Sequence, residues 1–168
     1  PYMENDQFQA VKLPYGDKSM SMVIFLPKKE TGLSGFHRML TYENWNNWME
    51  QFRLSDGTVE MPRLKMEYEQ SLNDALRDMG MDVAFDRQKA DFSQMAPVPP
   101  NIYIGNVKHK SFIEVNEEGT EAAAVTSVEM RAASAPVTEP FHMKINRPFF
   151  FAIVEEKGGS VLFMGSVF

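Results

Sequence analysis

The sequence predicts an α+β fold built on mixed or antiparallel β-sheet. Segments with strand character outnumber helical segments and follow one another in runs, which is typical of this fold class. Hydrophobic residues make up 43% of the 168 residues and charged residues 24%, which is the balance of a folded globular protein. No period of about 20–50 residues recurs, so repeat architectures are excluded.

The first predicted strands form a hairpin. Residues 8–13 and 20–26 have strand character, and the sequence Pro14-Tyr15-Gly16-Asp17 between them favours a turn. A helical stretch follows Lys29, with bulky residues at the i, i+3, i+4, i+7 spacing of one helix face. These residues, which we expect to face the core, are Trp45, Trp48, Met49 and Phe52.

The middle of the chain is predicted to contain a strand and a short helix. Residues 58–70 have strand character that Pro62 interrupts. Residues 71–80 are predicted to form a helix that Ser71 caps and Gly80 ends. Its predicted inner face consists of Leu72, Leu76 and Met79.

A long strand and a second hairpin complete the predicted elements. The strand covers residues 102–115 and follows a loop that contains Pro97, Pro99 and Pro100. The hairpin joins residues 149–154 to residues 161–168 through a turn at Lys157-Gly158-Gly159.

Charge and composition exclude several classes of function. A net charge of −6 argues against sequence-independent binding to nucleic acid or to an anionic membrane. Cysteine is absent, so disulfides and cysteine-ligated zinc are excluded. No apolar run reaches the ~18–20 residues that span a bilayer. The chain starts Pro1-Tyr2-Met3, without an initiator methionine or a signal peptide, and we expect a piece of a longer molecule.

No pattern of catalytic residues is present. The three histidines, His37, His109 and His142, lie on unrelated predicted elements and have no ligand spacing between them. The HExxH, P-loop, GxSxG and GxGxxG motifs are all missing. We therefore expect a protein that is not an enzyme and needs no metal or other cofactor. His109 is predicted to be a core or sheet residue.

Residues 117–127 allow two interpretations. Thr120 followed by an alanine run is typical of a short capped helix. The alternate positions from Thr120 to Ala132 are all uncharged, whereas the other register holds every charge of the stretch, which is the pattern of a strand with one buried face. The sequence suits both a flexible loop and a strand that is buried later.

Two motifs here resemble those of the serpin family. The sequence Glu117-Glu118-Gly119-Thr120-Glu121-Ala122-Ala123-Ala124 resembles the proximal hinge of inhibitory serpins. Residues 143–153, with Asn146-Arg147-Pro148-Phe149 at their centre, resemble the serpin C-terminal signature, and the spacing of the two motifs suits a reactive loop. Further similar segments are Pro14-Tyr15-Gly16, the helix at 71–80, Ala90-Asp91-Phe92-Ser93 and Leu162-Phe163-Met164-Gly165.

The resemblance covers the whole chain and implies the C-terminal portion of the serpin fold, of the bacterial type. Residues 1–168 would be a fragment of a single serpin domain, with mixed and antiparallel sheets, a few short helices and a reactive loop at about 117–140. The implied function is inhibition of a serine or cysteine protease as a suicide substrate, by cleavage of the loop and its insertion into the protein's own sheet. The alternative is a non-inhibitory serpin that acts as a carrier or structural protein.

The resemblance also implies particular sites. The reactive bond falls at Ala133–Ser134, which suits an elastase-like or subtilisin-like protease, and Arg131–Ala132 is a trypsin-like alternative. Glu117 and Arg63 are the residues that match a structural brace of the family. Because unpaired strand edges seek partners, residues 120–128 are expected to pair antiparallel with the strand at 102–115, or with a strand from another copy.

The implied partners and location complete the expectations. The partner is a target protease, without nucleic acid and without a membrane span. Self-association through the loop or a strand edge is a further expectation. The implied location is extracellular, at the cell surface or periplasmic.

Overall fold

A computed structural model describes residues 1–115 and 139–168, and these form two compact units. The first unit consists of Pro1–Pro62 with residues 139–168, and the second is Arg63–Val115. In chain order the elements are β1 (Tyr2–Glu4), β2 (Phe8–Pro14), β3 (Met20–Pro27), α1 (Gly32–Met39), α2 (Tyr42–Gln51), β4 (Gly57–Glu60), β5 (Leu64–Ser71), α3 (Asn73–Leu76), a π-helical turn (Arg77–Met81), α4 (Asp82–Phe85), β6 (Lys108–Val115), β7 (Phe141–Lys144), β8 (Phe149–Glu155) and β9 (Val161–Val167).

A five-stranded antiparallel sheet, sheet 1, forms the centre of the first unit, in the order β1-β2-β3-β8-β9. Both predicted hairpins, β2–β3 and β8–β9, are confirmed. The central strand β3 is apolar along most of its length because it pairs on both edges and is covered on both faces.

Helices α1 and α2 contribute the core on one face of sheet 1. The rings of Phe8, Phe25, Phe36, Trp48 and Phe150 pack there at centroid distances such as 5.0 Å between Phe8 and Trp48. The predicted core-facing stripe is confirmed, since Trp48 is buried and Trp45, Met49 and Phe52 pack against the same cluster. Helix α2 begins after Thr41, whose side chain accepts a hydrogen bond from the backbone N–H of Asn44.

The predicted strand at 58–70 is two strands in two different sheets. Pro62, which has no backbone N–H to donate to a ladder, lies in the gap between β4 and β5. Strand β4 pairs in parallel with β7 as sheet 2. Strand β5 pairs antiparallel with β6 as sheet 3, in the second unit. The predicted mixture of parallel and antiparallel pairing is therefore present.

The predicted helix at 71–80 is wrong at both ends. Ser71 is the last residue of β5, and α3 begins only at Asn73. Gly80 has a positive φ of 95°, the conformation of a helix stop, yet the chain kinks there and continues through α4 to Phe85. Met79, assigned to the inner face, is 80% exposed.

The predicted long strand is shorter than expected, because only Lys108–Val115 is extended and paired. Residues 102–107 run as irregular chain that is tied back locally: the backbone N–H of Ile104 donates to the carbonyl of Ala84, and that of Val107 to the Asn73 side chain. Two short strands, β1 and β7, were not predicted. In the described residues no helix is both long and apolar enough to cross a membrane.

Candidate functional site

The predicted reactive loop is attached to strand β6 on its N-terminal side and to strand β7 on its C-terminal side. Strand β6 ends at Val115, two residues before the predicted hinge begins. Strand β7 begins at Phe141, just after the predicted loop ends at about residue 140. The two strands belong to different units of the structure. The geometry of each therefore defines one end of the candidate site.

Strand β6 lies in a two-stranded ladder with a charged face. Its register with β5 runs from Ser71 opposite Lys108 to Leu64 opposite Val115. Three ion pairs cross between the strands: Lys65–Glu114 at 3.7 Å, Lys110–Glu67 at 3.7 Å and Lys108–Glu69 at 2.7 Å. These exposed pairs set the register but contribute little stability each, about 0–1 kcal/mol.

The other face of sheet 3 is more apolar. It carries Leu64, Met66, Ile113 and Val115, all of them partly or fully buried. His109, on the same face, is exposed and lies opposite Gln70. Of the two roles predicted for His109, the role as a sheet residue is therefore confirmed and the role as a core residue is wrong.

Strand β7 is held in the first unit by buried apolar side chains. Met143 is fully buried, and Ile145 directly after the strand is nearly so. The backbone N–H groups of Phe141 and Ile145 donate to the carbonyls of Asp56 and Glu60 at 2.9 and 2.8 Å. The C-terminal end of the candidate site is thus anchored by both backbone and core.

The solvent face of the β4–β7 pair carries a network of four polar side chains. Nδ1 of His142 lies 2.7 Å from the Thr58 hydroxyl, and its Nε2 lies 3.1 Å from Oε1 of Glu60. Lys144 donates to the other carboxylate oxygen of Glu60 at 2.9 Å. The Lys144 hydrogen bond and charge, aided by His142, hold the pKa of Glu60 below its ordinary value. The same bond raises the pKa of Lys144.

A second set of contacts joins β7 to strands β1 and β2. The rings of Tyr2 and Phe141 stack with centroids 4.0 Å apart and planes only 5° from parallel. Gln9 donates to the backbone carbonyl of His142 at 3.4 Å and to the Tyr2 hydroxyl at 2.9 Å. Burial, followed by the hydrogen bond to Glu4, raises the pKa of Tyr2 to about 12.

The C-terminal signature continues this anchoring. Nε of Arg147 donates to the carbonyl oxygen of Pro27 at 2.7 Å, at the end of the central strand β3. The chain then enters β8, which pairs with β3.

Most of the sequence-predicted site residues fall outside the described residues. These are the hinge residues Glu117–Ala124, the predicted bond Ala133–Ser134, and its alternative Arg131–Ala132. Arg63 is described and lies just before β5, but its predicted brace partner Glu117 is not. The predicted pairing of residues 120–128 also lies outside the described part.

Sequence reasoning missed the network on β4 and β7. His142 was considered only together with the other two histidines, with which it has no ligand spacing, yet it bridges Thr58 and Glu60. The alternation Thr58-Val59-Glu60 and His142-Met143-Lys144 carries a polar-apolar-polar signal in each strand. The sequence does not reveal that these two strands pair, because they are far apart along the chain. The hydrogen-bonded residues Thr58 and His142 are 84 positions apart.

A family model and curated relatives match the chain. The model described as serpin (serine protease inhibitor) matches residues 1–168. Serpin B8 of Homo sapiens is 41% identical over 166 residues, which are 98% of this chain and 44% of that protein. Serpin B10 of Rhinolophus ferrumequinum is 37% identical over 167 residues, 98% of this chain and 41% of that protein. The chain thus spans less than half the length of these relatives.

A solved structure has the same fold over nearly the whole chain. The thermophilic serpin tengpin in its native state superposes with a TM-score of 0.77 at 34% identity. The match covers 99% of this chain and 43% of that structure. The predicted fold, a portion of the serpin fold, is therefore confirmed. The predicted bacterial type stays a prediction, because the two curated relatives above come from mammals.

Proposed function

Because the chain belongs to the serpin family, we propose that it forms the C-terminal part of a protease inhibitor that acts as a suicide substrate. The observation that carries this proposal is the position of the hinge sequence, which begins two residues after the end of β6. Among the described strands β6 pairs with β5 alone, so its second edge can accept another strand. The chain spans 41–44% of its curated relatives, so the activity belongs to the whole protein.

The proposed mechanism begins as ordinary proteolysis. The nucleophile of the target protease attacks the carbonyl carbon of the reactive bond, an ester or thioester forms, and a new amino terminus leaves. The loop, freed from β7, then folds back beside β6 and adds to the sheet as a strand. Thr120, Ala122 and Ala124 form the face that enters the sheet interior, where small side chains fit. Displacement of the attached protease stops hydrolysis of the acyl-enzyme.

We propose Ala133–Ser134 as the reactive bond, with Arg131–Ala132 as the alternative. Alanine before the bond suits a protease with a small specificity pocket, elastase-like or subtilisin-like, and arginine suits a trypsin-like one.

We also propose a structural brace between Arg63 and Glu117. The register Leu64 opposite Val115 supports this brace, since an antiparallel ladder continued by a residue or two leads Arg63 towards the residues after Val115.

The proposal is tested by incubating the full-length protein with elastase, subtilisin, trypsin and a cysteine protease. We expect an SDS-stable complex with at least one of them, and a released C-terminal peptide whose mass identifies the cleaved bond. Cleavage without a complex would instead support the alternative, a non-inhibitory serpin that acts as a carrier or structural protein.

We also propose an extracellular, cell-surface or periplasmic location, which fractionation of the source cells would test.

A further inference from the structure

The β4–β7 pair, which holds the C-terminal end of the candidate site, is shorter than the β5–β6 pair, which holds the N-terminal end. It holds four residues in each strand, with Val59 and Met143 facing inwards and polar side chains facing solvent. Few backbone hydrogen bonds join strands of this length, so side chains contribute a larger share of what keeps β7 in place. The polar side chains that cross the pair therefore matter more here than in sheet 1.

Glu60 is the centre of those polar contacts. Both of its carboxylate oxygens are engaged, Oε2 by Lys144 directly opposite and Oε1 by His142 on the diagonal. Both partners lie on β7, whereas Glu60 lies on β4. We propose that Glu60 is a positioning residue that clamps β7 to β4 through its contacts with Lys144 and His142.

The imidazole of His142 contacts β4 through both of its ring nitrogens. Nε2–H donates to Glu60, and Nδ1 accepts from the Thr58 hydroxyl. Among the described residues, the groups that face the imidazole are Thr58 and Glu60 on β4 and Lys144 on β7, while the neutral Gln9 contacts its backbone carbonyl.

The clamp requires Glu60 in its carboxylate form. Because the folded protein holds the pKa of Glu60 below 4.5, the contribution of this carboxylate is complete above pH 4.5 and is lost as the pH falls through its lowered folded value. The clamp should thus loosen in strong acid.

The functional consequence rests on the function proposed above. Strand β7 receives the C-terminal end of the reactive loop, so any force that draws the intact loop out of its exposed position also pulls on β7. A tighter clamp should keep the loop available to proteases for longer.

Hydrogen exchange in the full-length protein tests the clamp without any reference to inhibition. The reporters are the amides of Phe141 and Ile145, which donate across the strand pair. At pH 5.5 we expect these amides to exchange about two- to fivefold faster in Glu60→Gln than in the parent, after correction for intrinsic rates.

Glu156→Gln is the matched control, because it removes another exposed glutamate that pairs with a lysine, Lys12 at 2.6 Å, in the same unit. Equal exchange in Glu60→Gln and the parent, or equal acceleration in Glu156→Gln, would overturn the clamp.

The inhibitory activity of the full-length protein is then followed over days, and Glu60→Gln should lose this activity about two- to fivefold faster than the parent. Loss at the parent's rate would overturn the positioning role. A full-length protein that inhibits no protease would refute the proposed function, while the exchange rates still decide on the clamp.

Discussion

Arg147 illustrates how one side chain fixes the chain at the point where it enters β8. Its Nε donates to the carbonyl of Pro27, a residue 120 positions earlier and fully buried at the end of β3. Hydrogen bonds from charged donors contribute about 1.5–3 kcal/mol, more than neutral ones. The contact ties the entry of β8 to the strand with which β8 pairs.

At Thr120 a single substitution tests the proposed insertion. Arginine there would carry an unpaired charge into the sheet interior, which costs several kcal/mol even in a relaxed site. We expect the Thr120→Arg full-length protein to be cleaved as fast as the parent but to release the protease, so that more inhibitor molecules are consumed per protease inactivated. Thr120→Ser should behave like the parent. Undiminished inhibition by Thr120→Arg would rule out insertion.

Tyr2 makes the protein sensitive to alkali. Its pKa is raised to about 12, so the folded state keeps a proton that the unfolded chain loses near pH 10. The free energy of unfolding should therefore fall as the pH rises from 10 to 12. Tyr2→Phe keeps the ring that stacks on Phe141 but has no hydroxyl, and should reduce this alkaline loss in urea titrations at pH 9 and 11. The exposed Tyr42→Phe is the control, and an undiminished loss in Tyr2→Phe would contradict the assignment.

At the scale of elements, Gly57 determines how closely β4 and β7 approach. A Cβ atom at this position would overlap both the ring and the backbone carbonyl oxygen of Phe141. Since a carbonyl in a paired strand cannot move away cheaply, Gly57→Ala should lower the free energy of unfolding by about 1–3 kcal/mol. Gly16→Ala, where a Cβ would meet nothing within 4 Å, should be nearly neutral. Equal stability of the two variants would show that the strands separate without cost.

Elements with local signals could be predicted from the sequence, and those that depend on distant partners could not. The hairpin β2–β3 has alternation and a turn sequence, and the core stripe of α2 has a clear helical period. Strand β7 is only four residues long and its partner β4 lies far away in sequence, so its short polar-apolar alternation is not enough to predict a strand. The helix end predicted at Gly80 is wrong because the left-handed conformation of this residue produces a kink, and the chain continues as helix beyond it.

The residues of the candidate site also divide into those with a local sequence signal and those that depend on distant partners. The predicted hinge and the C-terminal signature are contiguous motifs, so they can be proposed from the sequence alone, and the family match supports the family to which they point. The clamp on β7 depends on side chains from two strands that only the fold brings together. No spacing rule along the chain connects Glu60 with His142.

At the scale of the whole molecule, the outer edge of sheet 1 is apolar. Strand β9 pairs only with β8 among the described strands, and its Phe163 is 56% exposed. We expect the separate 168-residue chain to bind hydrophobic dyes and to self-associate through this edge. Phe163→Lys should reduce both, as measured by dye fluorescence and sedimentation, because a charged side chain disfavours edge-to-edge pairing. Tyr42→Lys, at a helical site that is 82% exposed, should not.

The pairing of β3 with β8 also implies a delay during synthesis, because β3 is made long before its partner strand. Phe25 lies opposite Phe150, so 125 positions (150 − 25) separate partners at the middle of sheet 1. At about 5–20 residues per second, a ribosome needs roughly 6–25 s to deliver β8 after β3 has emerged. During that interval the nascent hairpin β2–β3 carries an open apolar edge on β3. A chaperone that shields this edge on the ribosome would therefore raise the yield of folded protein more than one that acts after release.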